Sequence, residues 1–238
     1  MEGPKGQNYF ITDGDWDIGK VLVCTGKWES NLIEIMKNNG IYNIRLSGSV
    51  GWSDNDISFL SSIKFLKGVE IYFSSDIKDM TPLYSLSSLE FLGIDDYIKT
   101  DLDFSNFNNL KICLISWCSK YKNMFNVNTL KHLLINKYPY ESLKELSNLK
   151  NLEILDITSR KLQSLDGIQA LNKLKVLKLF KCTHLVELKG IEHLTELKQL
   201  DIDTCNKLNN LNGCEKLVNL VKINLENNKG LDSLWLSK

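Results

Sequence analysis

Residues 152–173 read LEILDITSRKLQSLDGIQALNK, residues 174–196 read LKVLKLFKCTHLVELKGIEHLTE, and residues 197–219 read LKQLDIDTCNKLNNLNGCEKLVN. Stacked, they share apolar residues at offsets 0, 3, 5, 10, 13, 16 and 19. In the middle stretch these are Leu174, Leu177, Leu179 and then, from Leu185 on one residue late, Leu188, Ile191 and Leu194. A further unit starts at Leu220 and runs through Ile223, Leu225, Leu231, Leu234 and Leu236. Working backward, starts fall at Leu130, Leu110, Leu89, Leu66 and Ile41, with steps of 25, 23, 21, 20, 22, 22, 23 and 23 residues from Ile41 onward. Leucine follows the same gradient, with 5 in residues 1–80 and 21 in residues 151–238.

A fixed internal period outranks any other fold signal. In a strand, alternate side chains face opposite sides, so offsets 3 and 5 point inward while 2, 4 and 6 point out. So short a strand cannot bury its apolar side alone. Parallel stacking of the units buries a continuous leucine column, each unit stabilised mainly by its neighbours. Nine strands at about 4.8 Å give a sheet roughly 40 Å long. The return segment, Leu185 to Leu194 for example, spaces its apolar residues by three, which suits a tight turn or short 3-10 piece on the convex side.

The Leu-x-x-Leu-x-Leu at each start resembles the leucine-rich-repeat family. The short step and the second Leu-x-x-Leu-x-x-Ile-x-x-Leu block are similar to its short-repeat class, of about 22 residues, as in internalins and a protein-phosphatase regulatory subunit. The resemblance covers about residues 41–236. It implies an α/β leucine-rich-repeat solenoid with a curved parallel sheet of about nine strands. On this reading residues 41–238 are expected to form the solenoid and residues 1–40 a small N-terminal α/β cap over its first layer. In the cap, Lys20–Cys24 reads as a strand. Ser30 is placed to cap a helix running through Asn39, with Leu32, Ile33, Ile35 and Met36 on its apolar face and Gly40 ending it. Trp16, Trp28 and Trp52 gather in this region, as packing or as interface anchors. At the other end the chain stops soon after Trp235 and Leu236, and the expectation is either that Trp235 lies over the last layer or that this edge pairs with another chain.

The 238 residues carry 29 Lys plus Arg against 29 Asp plus Glu. Zero net charge argues against a general nucleic-acid binder or a polybasic membrane-surface protein. The first 100 residues hold 9 basic and 14 acidic side chains, the rest 20 and 15. Residues 1–20 lack an apolar signal region, no run approaches a membrane span, and there is no Asn-x-Ser/Thr acceptor. A cytoplasmic setting is expected. The six cysteines fit it. The family pattern implies a buried Asn or Cys at offset 8, held here by Cys118, Cys182, Cys205 and Asn228. Cys113 sits at offset 3, Cys214 replaces Ile168 and Ile191 on the convex wall, and only Cys24 is unassigned. With no Cys-x-x-Cys pair, reduced structural thiols are expected rather than zinc ligands or disulfides.

His132, His184 and His193 have no nucleophile paired to them by motif, and there is no metalloprotease, phosphate-loop or nucleophile-elbow signature. No catalytic residue, metal or cofactor is expected. What remains is the outward strand face, where Phe91, Ile112, Leu114, Leu134, Ile154, Val176 and Phe180 are apolar without an internal reason. An exposed apolar strip rimmed by charge marks a protein-binding surface. The candidate residues are Tyr72, Phe91, Asp95, Leu114, His132, Leu134, Ile154, Asp156, Lys178, Phe180, Asp201 and Asp203. Lys111, Lys131, Lys175 and Lys198 at offset 1 form a solvated rim. The expected partner is another protein, not nucleic acid or membrane. Two roles stay open, an inhibitor such as an immunity protein that neutralises a toxin, and a regulatory or targeting subunit that guides an enzyme without blocking it.

Overall fold

The structure, a computed structural model, describes residues 7–73, 77–95 and 98–231. They fall into two compact units, Met1–Met124 and Phe125–Lys238.

In the first unit a hairpin of β1 (Tyr9–Asp13) and β2 (Lys20–Cys24) is followed by a short helix α1 (Leu32–Asn38) and the strand β3 (Asn43–Ser47). The strands β4 (Gly68–Tyr72), β5 (Phe91–Asp95) and β7 (Ile112–Ser116) continue the sheet in chain order, every pairing after the hairpin being parallel. The two-residue strands β6 (Leu102–Asp103) and β8 (Tyr121–Lys122) pair separately. The second unit is a parallel run of β9 (His132–Asn136), β10 (Ile154–Thr158), β11 (Val176–Phe180), β12 (Gln199–Asp203) and β13 (Lys222–Glu226).

From Ile41 on, each of the nine repeat starts is followed two residues later by a five-residue strand, so every strand occupies offsets 2 to 6. The sheet strands number eleven rather than nine among the described residues, because β1 and β2 precede the first repeat and β2 pairs with β3 in parallel. Helix α1 starts later than Ser30 implied. Asn31 is its N-cap residue and makes no side-chain cap bond, while Leu32 and Met36 are the residues it buries.

The inward positions are closed as the periodicity requires. Leu92, Ile94, Leu155, Ile157, Leu177, Leu179, Leu200 and Ile202 are all at most 1 % exposed. The return segments are 3-10 turns, and their spacing explains why. Three residues per turn put every third side chain on one face. The backbone repeats at the same interval: in one return Ile168 N–H donates to Leu165, Leu171 to Ile168 and Leu174 to Leu171, and Ile191, Leu194 and Leu197 do likewise in the next. The last layer is less covered, since Ile223 is 39 % exposed and Val221 85 %. Leu234, Trp235 and Leu236 lie outside the described residues.

Just past their strands, Lys137, Lys181, Thr204 and Asn227 take left-handed φ values of 58°, 51°, 56° and 54°. The buried turn residue follows. Cys182 Sγ, Cys205 Sγ and Asn228 Nδ2 each reach back to a carbonyl of the preceding strand, that of Ile157 (3.9 Å), Leu179 (3.6 Å) and Ile202 (2.7 Å). The repeat starting at Leu152 has one residue fewer, and Ser159 fills the place directly. Its hydroxyl donates to the Tyr138 carbonyl and accepts from the amides of Lys161 and Leu162. Cys118 departs from this series: it is half-exposed, in a turn where Trp117 packs edge-on against Tyr121. All six cysteines are free thiols. Cys24, Cys113, Cys182 and Cys205 are buried, and Cys214 stands half-buried where Ile168 and Ile191 stand in their repeats.

Candidate functional site

The outward face of the first unit is closed by its own side chains. Asn43 Nδ2 donates to the carbonyls of Ile18 (2.7 Å) and Lys20 (3.1 Å), tying the sheet to the β1–β2 hairpin. Arg45 pairs with Glu70, which is 2 % exposed, and lies 3.6 Å from Asp15 and 6.0 Å from the Tyr72 ring centroid. Burial pushes the Glu70 carboxyl up, while Arg45 pulls it back. Asp95 accepts a hydrogen bond from Ser116 Oγ.

This overturns part of the expected strip. Phe91 is 2 % exposed and Leu114 9 %, so neither is an open anchor. The cause is two glycines at outward positions. Phe91 pairs with Gly68 and folds sideways over it, and Tyr72 lies in the same way against Gly93. A row containing glycine lets the neighbouring aromatic lie down on the sheet, a signal present in the sequence at Gly68 and Gly93. Arg45, also at an outward position, was missed as the centre of this packing. Of the three tryptophans, Trp28 and Trp52 pack on Phe59 with centroids 4.2 and 5.9 Å away. Trp16 is instead 37 % exposed at the hairpin tip with φ 63°.

The second unit is open. A depression of about 320 Å³ on its outward strand face brings together Leu134, Asp156, Lys178, Phe180, Asp201 and Asp203, all among the expected residues, with Asn136 and Thr158. Register makes the arrangement: Leu134, Asp156, Lys178, Asp201 and Asn224 stand opposite one another along successive strands, as do Phe180, Asp203 and Glu226. Ile154 is half-buried beside them, and His132 is 5 % exposed. Burial, helped by the Lys178 charge, pushes the His132 imidazole down to about 4, so it is neutral at pH 7.

The carboxylates are oriented by neutral donors. Asp201 accepts from Gln199 Nε2 and Asn224 Nδ2, both at 2.6 Å. Asp203 accepts from Thr204 Oγ1 (2.7 Å) and Asn227 Nδ2 (3.0 Å). Asp156 is held above the usual carboxylate range by burial, with Lys178 opposing and Asp201 adding to the rise. Such bonds fix the direction of a carboxylate without cancelling its charge. Lys181 Nζ lies 4.7 Å from the Phe180 ring centroid, so that ring already attracts a cation. By contrast three of the four offset-1 lysines have acidic partners: Lys111 binds Glu90 (2.7 Å), and Lys131 and Lys175 share Glu153 (3.4 and 2.6 Å).

No protein-family model matches the sequence, and no curated protein does either. Solved structures do match. The leucine-rich-repeat domain of the type III effector XopL is 19 % identical with a TM-score of 0.58, over 83 % of this chain and 72 % of that one. A leucine-rich-repeat protein of Leptospira interrogans is 16 % identical, TM-score 0.54, over 83 % and 51 %. The functional domain of InlJ from Listeria monocytogenes, described as including a cysteine ladder, is 16 % identical, TM-score 0.53, over 87 % and 48 %. The chain thus spans about half the length of the last two. Repeat starts, strand positions and these likenesses agree, and the protein has the leucine-rich-repeat fold.

Proposed function

We propose that the protein is a non-enzymatic, cytoplasmic protein-binding module whose contact surface is the outward strand face of the second unit. The observation that carries this is the open depression where apolar Leu134 and Phe180 meet carboxylates held in fixed directions by neutral donors. A buried apolar centre with an oriented polar rim is the anatomy of a recognition surface. His132 is neutral, buried and without a nucleophile placed by motif, which supports recognition over catalysis. The role we favour is inhibition of a partner, as an immunity protein does for a toxin. The second role is a regulatory or targeting subunit that guides a partner enzyme without blocking it.

Affinity capture from the source cell, repeated with Phe180→Ala and Asp201→Lys, tests the reading. A partner retained by the parent chain and lost by both variants is the expected result. A partner held equally by all three overturns the strand-face assignment. If the captured partner is an enzyme, loss of its activity in the complex marks inhibition, and unchanged activity marks the regulatory role.

A further inference from the structure

The segments that follow the five strands of the second unit are 137–142, 159–164, 181–186, 204–209 and 227–231. They contain six Lys or Arg, namely Lys137, Arg160, Lys161, Lys181, Lys207 and Lys229, against a single acid, Glu141. All six cations are exposed, and among the described residues none has a carboxylate at ion-pair distance. What sets the row apart is its shortage of acids rather than the absence of pairing. Lys150, Lys173, Lys189, Lys198, Lys216 and Lys222 also lack a carboxylate at ion-pair distance among the described residues, while other cations of the unit have one. Lys131 and Lys175 bind Glu153 at the opposite strand ends, and Lys144 lies 3.7 Å from Asp166. Because successive strands lie about 4.8 Å apart, the cations form a row roughly 20 Å long. Like charges set side by side repel, and an anion bound along them relieves that repulsion.

The row has a built centre. Arg160, one of only two arginines in the chain, lines a depression of about 430 Å³ with Lys161, Tyr140, Gln163, His184 and the row's single acid, Glu141, so two cations face one carboxylate there. Tyr140 is held there by edge-on packing against Phe125 and Tyr138, with centroids 6.0 and 5.6 Å away. Tyr138 is itself anchored through its hydroxyl to the Ser142 carbonyl at 2.7 Å. The amides of Gln163 and Ser164 both donate to the Glu141 carbonyl, which fixes one wall against the other. A guanidinium beside a rigid phenol suits a carboxylate, which it binds through two parallel N–H donors.

We propose that this edge of the second unit is a docking surface for an acidic segment of a partner protein, with a carboxylate seated against Arg160 and further acids along the row. Charge complementarity selects an acidic occupant, and the chain's zero net charge, 29 Lys plus Arg against 29 Asp plus Glu, favours a protein segment over a nucleic acid. The Arg160 depression shares no lining residue with the one beside Phe180, although Lys181 of the row sits over the Phe180 ring, so the two assignments are tested by different variants.

The test is fluorescence anisotropy of a labelled oligo-glutamate peptide with the full chain, compared with an oligo-lysine peptide and a single-stranded oligonucleotide. The glutamate peptide should bind, the lysine peptide should not, and rising salt should weaken binding. Arg160→Glu with Lys161→Glu should weaken it about tenfold or more. The control Lys131→Glu with Lys198→Glu, on the opposite edge, should change it little. Asp201→Asn, in the strand-face depression, should not reduce it. Thermal melts of both double variants confirm that they fold. Absence of salt-sensitive binding, equal loss in both double variants, or tighter binding of the oligonucleotide overturns the proposal.

Discussion

The Phe91 ring covers Gly68: a first side-chain carbon placed on Gly68 would stand 3.3 Å from Phe91 Cδ1 and would collide with the Asn43 amide oxygen. Two outward positions on adjacent strands therefore share one side chain's worth of space. Phe91→Ala is expected to cost about 3–5 kcal/mol of stability, as for a buried aromatic. Phe180→Ala, on the open face, should cost well under half of that. Gly68→Ala should cost roughly 1–3 kcal/mol by overpacking against Asn43. Denaturant midpoints for the three variants give the order. A Phe91→Ala midpoint equal to that of Phe180→Ala would show that Phe91 is not packed in this way.

Leu177 tests the inward register. It is fully buried between Leu155 and Leu200 in the strand pairing. Leu177→Ala should lower stability by about 2–5 kcal/mol. Leu177→Asp places an unpaired charge in the column and should unfold at least the second unit. Circular dichroism melts suffice, and an Ala variant that melts with the parent rejects the register.

Thiol reactivity should follow burial. Burial, with Asp54 nearby, pushes the Cys24 thiol up to about 12, and burial alone raises Cys113 further. Contact with the Cys205 sulfur and then burial hold Cys182 up. Timed labelling of the native protein should modify Cys118 and Cys214 first, and the four buried thiols only on unfolding. A disulfide between Cys182 and Cys205 would contradict the free thiols of the turns.

Acid should weaken the second unit through His132. In the folded chain its imidazole titrates near 4, against an ordinary 6.5. Below 6.5 the unfolded chain takes a proton that the folded chain refuses. The contribution is complete above pH 6.5 and is lost as pH falls toward 4, up to on the order of 3 kcal/mol. Urea midpoints of the parent and of His132→Gln should converge between pH 7 and pH 4.5. Parallel pH profiles would show that His132 takes its proton equally in both states.

Strand positions were legible in the sequence because they depend on a single periodicity repeated nine times, from Ile41 to Leu220. Errors in one repeat are corrected by its neighbours. The site was legible only where outward side chains stay upright, as for Leu134, Asp156, Lys178, Phe180, Asp201 and Asp203. It failed at Phe91 and Leu114, since alternation says which side of the sheet a residue leaves from and not whether a neighbour lies over it. Gly68 decides that for Phe91, and it belongs to another repeat. The hairpin strand β1 was missed for the opposite reason: it occurs once, so no copy reinforces it. Burial of Cys118 was expected by analogy with Cys182, but no left-handed residue follows β7 directly to turn it inward, the one in its repeat being Asn123.

Thr158 pairs with Phe180 although the next buried residue is Ser159 in one repeat and Cys182, one step further on, in the other. The left-handed residue Lys181 absorbs that extra step, so strand alignment survives a change in repeat length. The joint is a natural splice point. Copies of 22 and 23 residues can be duplicated, deleted or grafted there without resetting the sheet, which gives a lineage a way to lengthen or shorten its array one unit at a time.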